Sequence, residues 1–232
     1  MKINFEKKIK LDFKTNEAYK TLRTNLTFSG DDVRVIVLTS SVPNEGKSVV
    51  AFNLANALAQ DNKKVLFMDA DIRKSVTVVR YGVDKETKGL SHYLSGQCSE
   101  EEIVCETNVD NLSVIFTGQT APNSSELLGN EHFKKLIADM REQFDYVIID
   151  CPPLGSVIDA AVVAKECDGA IIVIETDNAS YKIVQRVKKQ LEQSGCRILG
   201  AVLNKVEMDG KGYLGGYYGK YYGDYGNYGA SK

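Results

Sequence analysis

A chain of 232 residues, 43% hydrophobic and 26% charged, is long enough for one α/β domain with a full core. Its net charge of −2 offers no electrostatic basis for binding nucleic acid or an anionic membrane. No apolar run approaches the roughly 20 residues that span a bilayer, and Met1-Lys-Ile-Asn lacks the apolar stretch of a signal peptide, so a cytoplasmic location is expected.

The first dozen residues, MKINFEKKIKLD, read as a loosely held arm. From Asn16 the run NEAYKTLRTNLTF places Tyr19, Leu22 and Leu26 at i, i+3 and i+7, with Glu17, Lys20 and Arg23 on a neighbouring stripe. That is an amphipathic helix, and its charged row is expected as a solvated face with an internal i, i+3 ion pair worth a few tenths of a kcal/mol. The arm and helix make up residues 1–28, ahead of a nucleotide-binding domain over 29–207 and a tail over 208–232.

The stretch VRVIVLTSSVPNEGKSVV organises the rest. Val33, Val35, Ile36, Val37 and Leu38 read as a buried parallel strand, and Val49 to Ala59 carry the apolar spacing of a helix. Strand, turn and helix in that order are what a phosphate-binding loop requires. In G-x-x-x-x-G-K-[ST] the backbone N–H groups and helix N-terminus cradle phosphates, the Lys reaches the β/γ oxygens, and the hydroxyl ligates Mg²⁺. Gly46, Lys47 and Ser48 fit the motif, whereas Ser41 stands where the first glycine belongs. Ser41, Pro43, Asn44, Glu45, Gly46, Lys47, Ser48 and Val49 are therefore the expected nucleotide-binding residues.

Next comes KVLFMDADIR, a strand from Val65 to Met68 delivering Asp69, Asp71 and Arg73 at its C-terminal end. In an open parallel sheet ligands bind outside the strand C-termini. Acids there, beside a triphosphate, have Mg²⁺ as a partner. Short helices are expected over Gly89–Gly96 and Glu100–Cys105, a strand over Asn111–Phe116, a loop over Gly118–Ser125 and an amphipathic helix over Glu131–Phe144. His92 and His132 lack acidic or cysteine companions at ligand spacing and read as surface residues. The five cysteines (Cys98, Cys105, Cys151, Cys167, Cys196) are odd in number and lack CxxC spacing, which favours reduced thiols over disulfides or a zinc site.

The run FDYVIIDCPP is a second buried strand closed by an acid, Asp150, the second half of P-loop chemistry. A helix over Ile158–Glu166, a strand over Ala170–Glu175, a helix over Ser180–Gln193 and a strand over Ile198–Leu203 complete a βα alternation. The expected fold class is α/β, P-loop NTPase-like, with a mostly parallel sheet and helices on both faces. Asn204 follows the last strand, where its amide can read adenine; the sequence Asn204-Lys205-x-Glu207 also comes near a guanine-reading pattern.

From Lys211 onward the composition collapses to Gly and Tyr. Tyr213, Tyr217, Tyr218, Tyr221, Tyr222, Tyr225 and Tyr228 lie within sixteen residues, against five tyrosines elsewhere. Almost no aliphatic side chain is present to drive burial, so a flexible tail is expected. A phosphoryl-transfer core ending in phenols suggests that they accept phosphate. A phenol of pKa about 10 needs a positioned carboxylate to take its proton, and Asp69, Asp71 and Asp150 are the candidates at the right edge.

These features together resemble the bacterial tyrosine kinases that control capsule and exopolysaccharide synthesis, in their stand-alone cytoplasmic form. The resemblance spans nearly the whole chain: SVPNEGKS, VLFMDADIR, VIID, the Glu17 to Arg23 row, GQTAPNSSELL and the tyrosine-rich terminus. It implies ATP and Mg²⁺ as cofactors and autophosphorylation of the terminal tyrosines between subunits of a ring. It also implies a transmembrane adaptor of the polysaccharide co-polymerase type that recruits the protein to the inner face of the membrane, and a cognate phosphotyrosine phosphatase. By motif, Lys47 meets the β/γ phosphates, while Ser48, Asp71 and Asp150 hold the metal and Asp69 is the base. Arg73 holds the acidic loop or the phosphates, and Glu17, Lys20 and Arg23 form the subunit contact, with Lys20 where the family usually has Arg. Two alternatives are a MinD/ParA-like ATPase switch, whose extra P-loop lysine is Val42 here, and a non-catalytic module with an aromatic tail.

Overall fold

The computed structural model describes residues 2–5, 11–75, 77–82 and 87–206. The tyrosines Tyr213, Tyr217, Tyr218, Tyr221, Tyr222, Tyr225 and Tyr228, and with them the whole expected tail 208–232, lie outside the described residues. In chain order the elements are α1 (Phe13–Thr27), β1 (Val35–Ser40), α2 (Lys47–Ala59), β2 (Val65–Asp69), α3 (Thr77–Tyr81), α4 (Leu90–Leu94) and α5 (Glu100–Ile103). They continue with β3 (Cys105–Glu106), β4 (Leu112–Ile115), α6 (Ser124–Leu128), α7 (Glu131–Gln143), β5 (Tyr146–Asp150), α8 (Asp159–Ala164), β6 (Gly169–Glu175), α9 (Tyr181–Gln193) and β7 (Ile198–Asn204).

Among the described residues the strands form one sheet in the order β3-β4-β2-β5-β1-β6-β7. Every pairing is parallel except that of β3 with β4 at one edge. The central strands are apolar on both faces because helices cover both, as burial of a parallel sheet demands. Val35, Val37, Leu66, Met68, Val147 and Ile149 point into a core closed by α4, α7 and α8. Their neighbours Ile36, Leu38, Val65, Phe67 and Ile148 point into a second core beneath α2. Period-2 alternation thus splits one hydrophobic run between two cores.

Several boundaries differ from the sequence expectation, each for a tertiary reason. Residues 2–5 are not a loose arm: Ile3 N donates to the Glu106 carbonyl at 2.9 Å, and Ile3 and Phe5 are buried. Phe5 packs edge-on against Phe52 with ring centroids 5.2 Å apart, an aromatic partner that only the fold supplies. Helix α1 starts at Phe13, ahead of Asn16, because the Asp12 side chain caps it by accepting from Thr15 N. Val33 is buried but precedes β1, which runs on to Ser40. Cys105 belongs to an edge strand rather than to the end of α5, since it pairs with Val114. The expected loop 118–125 ends in helix α6, and α3 was absent from the expectation.

Candidate active site

The carboxyl ends of β1, β2 and β5 set the site. Strand register aligns Leu38 with Asp150 and Asp69 with Asp150, so two acids from separate strands emerge side by side next to the P-loop. Lys47 begins α2 and is itself buried. Its Nζ lies 3.4 Å from Asp71 Oδ2, 3.4 Å from Asp150 Oδ1 and 3.2 Å from Ser48 Oγ. Burial alone would lower the Lys47 pKa, but the carboxylates of Asp150 and Asp71 outweigh it and hold the ammonium charged.

Asp69 is fully buried beside this group. Its Oδ1 accepts from Asp71 N at 3.1 Å and its Oδ2 from Ser75 Oγ at 2.6 Å. Desolvation, reinforced by the charge of Asp150, raises its pKa from 3.8 to about 7. Asp150 is also raised by desolvation, with Lys47 pulling the other way. A carboxylate poised near neutrality is suited to take a proton from an attacking hydroxyl.

The phosphate-binding loop is built by braces. Glu45, which is wholly buried, accepts from Ser41 N at 2.6 Å and Val42 N at 2.8 Å through Oε2, and from Glu175 N at 3.1 Å through Oε1. Asn204 Nδ2 donates to the Glu45 carbonyl at 2.8 Å, and Lys205 Nζ donates to the Asn44 carbonyl at 2.9 Å. Gly46 has φ +87°, and a Cβ there would fall 2.2 Å from Asn204 Nδ2, so glycine is needed on both counts. Asn44 also has positive φ, at 68°, which Asn tolerates better than most residues. Pro43 and Asn44 are exposed on the loop, and Ser48 and Val49 are half-buried at the head of α2. At the position of the missing first glycine, the Ser41 hydroxyl is buried with no hydrogen-bond partner among the described residues.

Two expected roles change in detail. The Asn204 amide nitrogen is engaged by the P-loop itself, which leaves Oδ1 for any base. In the Glu17, Lys20, Arg23 row, Lys20 pairs with Glu17 at 2.7 Å, but Arg23 turns inward to the Ala57 carbonyl at 3.0 Å and toward Asp61. His92 keeps part of its surface exposed, and its Nδ1 accepts from Gly89 N at the start of α4. The five cysteines are free thiols, and burial raises the pKa of Cys105, Cys151 and Cys196 inside the fold and of the partly buried Cys167.

One buried acid next to the site carries no expectation from the sequence. Asp159 is fully buried at the first turn of α8 and takes both forks of Arg73, at 2.8 and 3.1 Å. Its only signal was an acid at a helix start, which is common. Oxygen donors from Ser48, Asp71 and Asp150 gathered around Lys47 form a hard donor set of the kind Mg²⁺ accepts together with phosphate oxygens and water.

Known proteins share the family and fold of this chain. Residues 33–198 match the family model described as an AAA domain. A Streptococcus agalactiae protein named tyrosine-protein kinase CpsD is 41% identical over 224 residues, covering 97% of this chain and 94% of its own. The kinase domain of the Escherichia coli tyrosine kinase ETK superposes with a TM-score of 0.77 at 33% identity, covering 83% of this chain and 77% of that one. The septum site-determining protein MinD of Pyrococcus horikoshii, complexed with Mg-ADP, gives a TM-score of 0.64 at 25% identity over 74% of this chain and 70% of its own.

Proposed function

The chain belongs to the bacterial tyrosine-protein kinases built on the AAA-domain P-loop fold, and from that premise we propose that it moves the terminal phosphate of MgATP onto tyrosines of its own C-terminal segment. Transfer runs in trans within an oligomer and regulates capsular or exopolysaccharide synthesis. Lys47 and the amides of 41–48 bind and orient the β/γ phosphates. Ser48, Asp71 and Asp150 would hold Mg²⁺, which would neutralise charge on the phosphate oxygens. Asp69 accepts the phenol proton as the tyrosine oxygen bonds to the γ-phosphorus, while the bond to the β-bridging oxygen breaks and ADP leaves with the electron pair.

The observation that carries this reading is the convergence of Asp71 and Asp150 on Lys47, with buried Asp69 alongside at a pKa of about 7. Asn204 Oδ1, an acceptor with its amide nitrogen already bonded to the Glu45 carbonyl, suits the amino group of adenine. Among the described residues no helix is long and apolar enough to cross a membrane. A cytoplasmic chain of this kind reaches the inner face of the membrane through a transmembrane adaptor of the polysaccharide co-polymerase type, and a phosphotyrosine phosphatase resets it. Glu17, Lys20 and Arg23 are the proposed contact of a ring, with Arg23 needing to release Ala57 and Asp61 first.

The likeness to MinD keeps one second reading, an ATPase switch. Incubation with MgATP followed by intact-mass measurement separates the two. Stepwise addition of single phosphates mapping beyond Lys211 is the expected result, and ADP release without mass gain selects the switch.

A further inference from the structure

We infer that Asp159 is a positioning residue for phosphoryl transfer: through Arg73 it fixes the turn that carries Asp71, and through Ser124 it ties the 118–128 segment to that turn. The inference rests on the kinase reading above and concerns how its acidic turn is held. Arg73 lies two residues after Asp71 and presents Nε to Asp159 Oδ2 at 2.8 Å and Nη2 to Oδ1 at 3.1 Å. A planar fork on both carboxylate oxygens sets direction as well as distance. Ser124 Oγ donates to Asp159 Oδ2, and Arg73 Nη1 donates to the Pro122 carbonyl at 3.3 Å. Among the described residues the other hydrogen bonds of 71–75 are local, joining 69, 71, 74, 75 and 77, apart from the one that Asp71 accepts from Lys47 Nζ inside the catalytic group. Arg73 is therefore the polar link that runs sideways from this turn to α8 and to residues 122–124.

The guanidinium of Arg73 is held by the protein at each of its nitrogens. Three of the guanidinium nitrogens already face protein acceptors, Asp159 twice and Pro122 once. Asp159 is wholly enclosed while the Arg73 side chain is about one-third exposed, so the acid is the fixed anchor and the arginine the arm. Pro122 and Ser124 belong to the motif GQTAPNSSELL, to which the catalytic group itself assigns no task.

The test uses the full chain with MgATP and compares Arg73→Lys, Ser124→Ala, Asp159→Asn and the double variant Arg73→Lys/Asp159→Asn. Arg73→Lys keeps the charge and loses the fork. It and Asp159→Asn are each expected to lower kcat for tail phosphorylation about tenfold or more, as misplaced catalytic groups do. The KM for ATP should stay within about threefold. The double variant should be within about twofold of the worse single one, because both remove one link. Amide exchange should quicken at 70–75 and 122–128 and remain unchanged at 41–48, with Ser124→Ala showing a smaller rise. That readout needs no activity, and Arg73→Lys and Ser124→Ala supply it if Asp159→Asn does not fold. Additive losses, a rise in KM matching the fall in kcat, or exchange unchanged in Arg73→Lys would each overturn the inference. A wild-type chain that never labels its tyrosines overturns instead the kinase reading, and leaves the exchange result to judge the anchor.

Discussion

Asp69 sits without solvent contact next to Asp150, and the fold holds its carboxyl at about 7 where it titrates near 3.8 in water. Between those pH values the folded chain keeps a proton that the unfolded chain has released. The penalty for ionising Asp69 is therefore absent below about pH 4 and grows as the pH rises to about 7, so this group erodes stability with increasing pH. Measured by calorimetry without nucleotide or metal, Asp69→Asn should melt several degrees above the wild type at pH 8, with the gap closing toward pH 4. An unchanged gap across that range would show that the perturbation is not electrostatic. The same substitution removes the proposed base and should abolish tyrosine labelling. Stability and activity pull in opposite directions here, as expected where a buried acid is kept for chemistry.

At the level of elements, the segment after β5 is fastened to the end of β1. Leu154 N donates to the Ser40 carbonyl at 2.9 Å and to Thr39 Oγ1 at 3.1 Å, and Thr39 Oγ1 donates to the Pro152 carbonyl. Gly155 follows, so close that a Cβ would fall 2.0 Å from the Ser41 carbonyl oxygen. Gly155→Ala must therefore push the β5–α8 connection away from the first residue of the P-loop. Overpacking of this kind costs about 1–3 kcal/mol, and titration with a fluorescent ADP should show affinity reduced about tenfold. Gly200→Ala is the control, because among the described residues nothing lies within 4 Å of its Cβ. It should bind nucleotide like the wild type and melt at nearly the same temperature.

For the whole molecule, the relevant quantity is charge. The chain carries −2, and seven phosphotyrosines at about −1.5 to −2 each would take it to somewhere near −12 to −16. Charge of that size on each subunit opposes assembly, and salt screens it over a Debye length of about 8–10 Å. Sedimentation of phosphorylated and unphosphorylated protein at two ionic strengths should show the modified form smaller at low salt, with the difference shrinking at high salt. Identical masses under all four conditions would remove the idea. If Arg23 is to meet a neighbouring subunit, as proposed, it must first give up Ala57 and Asp61.

The sequence by itself determined the α/β class, the P-loop, the three acids at strand ends and the tyrosine-rich terminus, because each is written in contiguous residues. Apolar β-branched runs closed by Asp69 or Asp150, and a glycine–lysine–serine turn before a helix, carry their meaning locally. Tertiary structure alone decided what depends on residues far apart in the chain. The pairing of Arg73 with Asp159 spans 86 positions, and the Asn204 brace on the P-loop spans 159. Neither has a local signature, and the burial of Ile3 and Phe5 has none either, since aromatic packing against Phe52 exists only once the sheet has formed. The pKa of Asp69 belongs with these: an aspartate at a strand end is ordinary until desolvation and a second carboxylate from another strand enclose it.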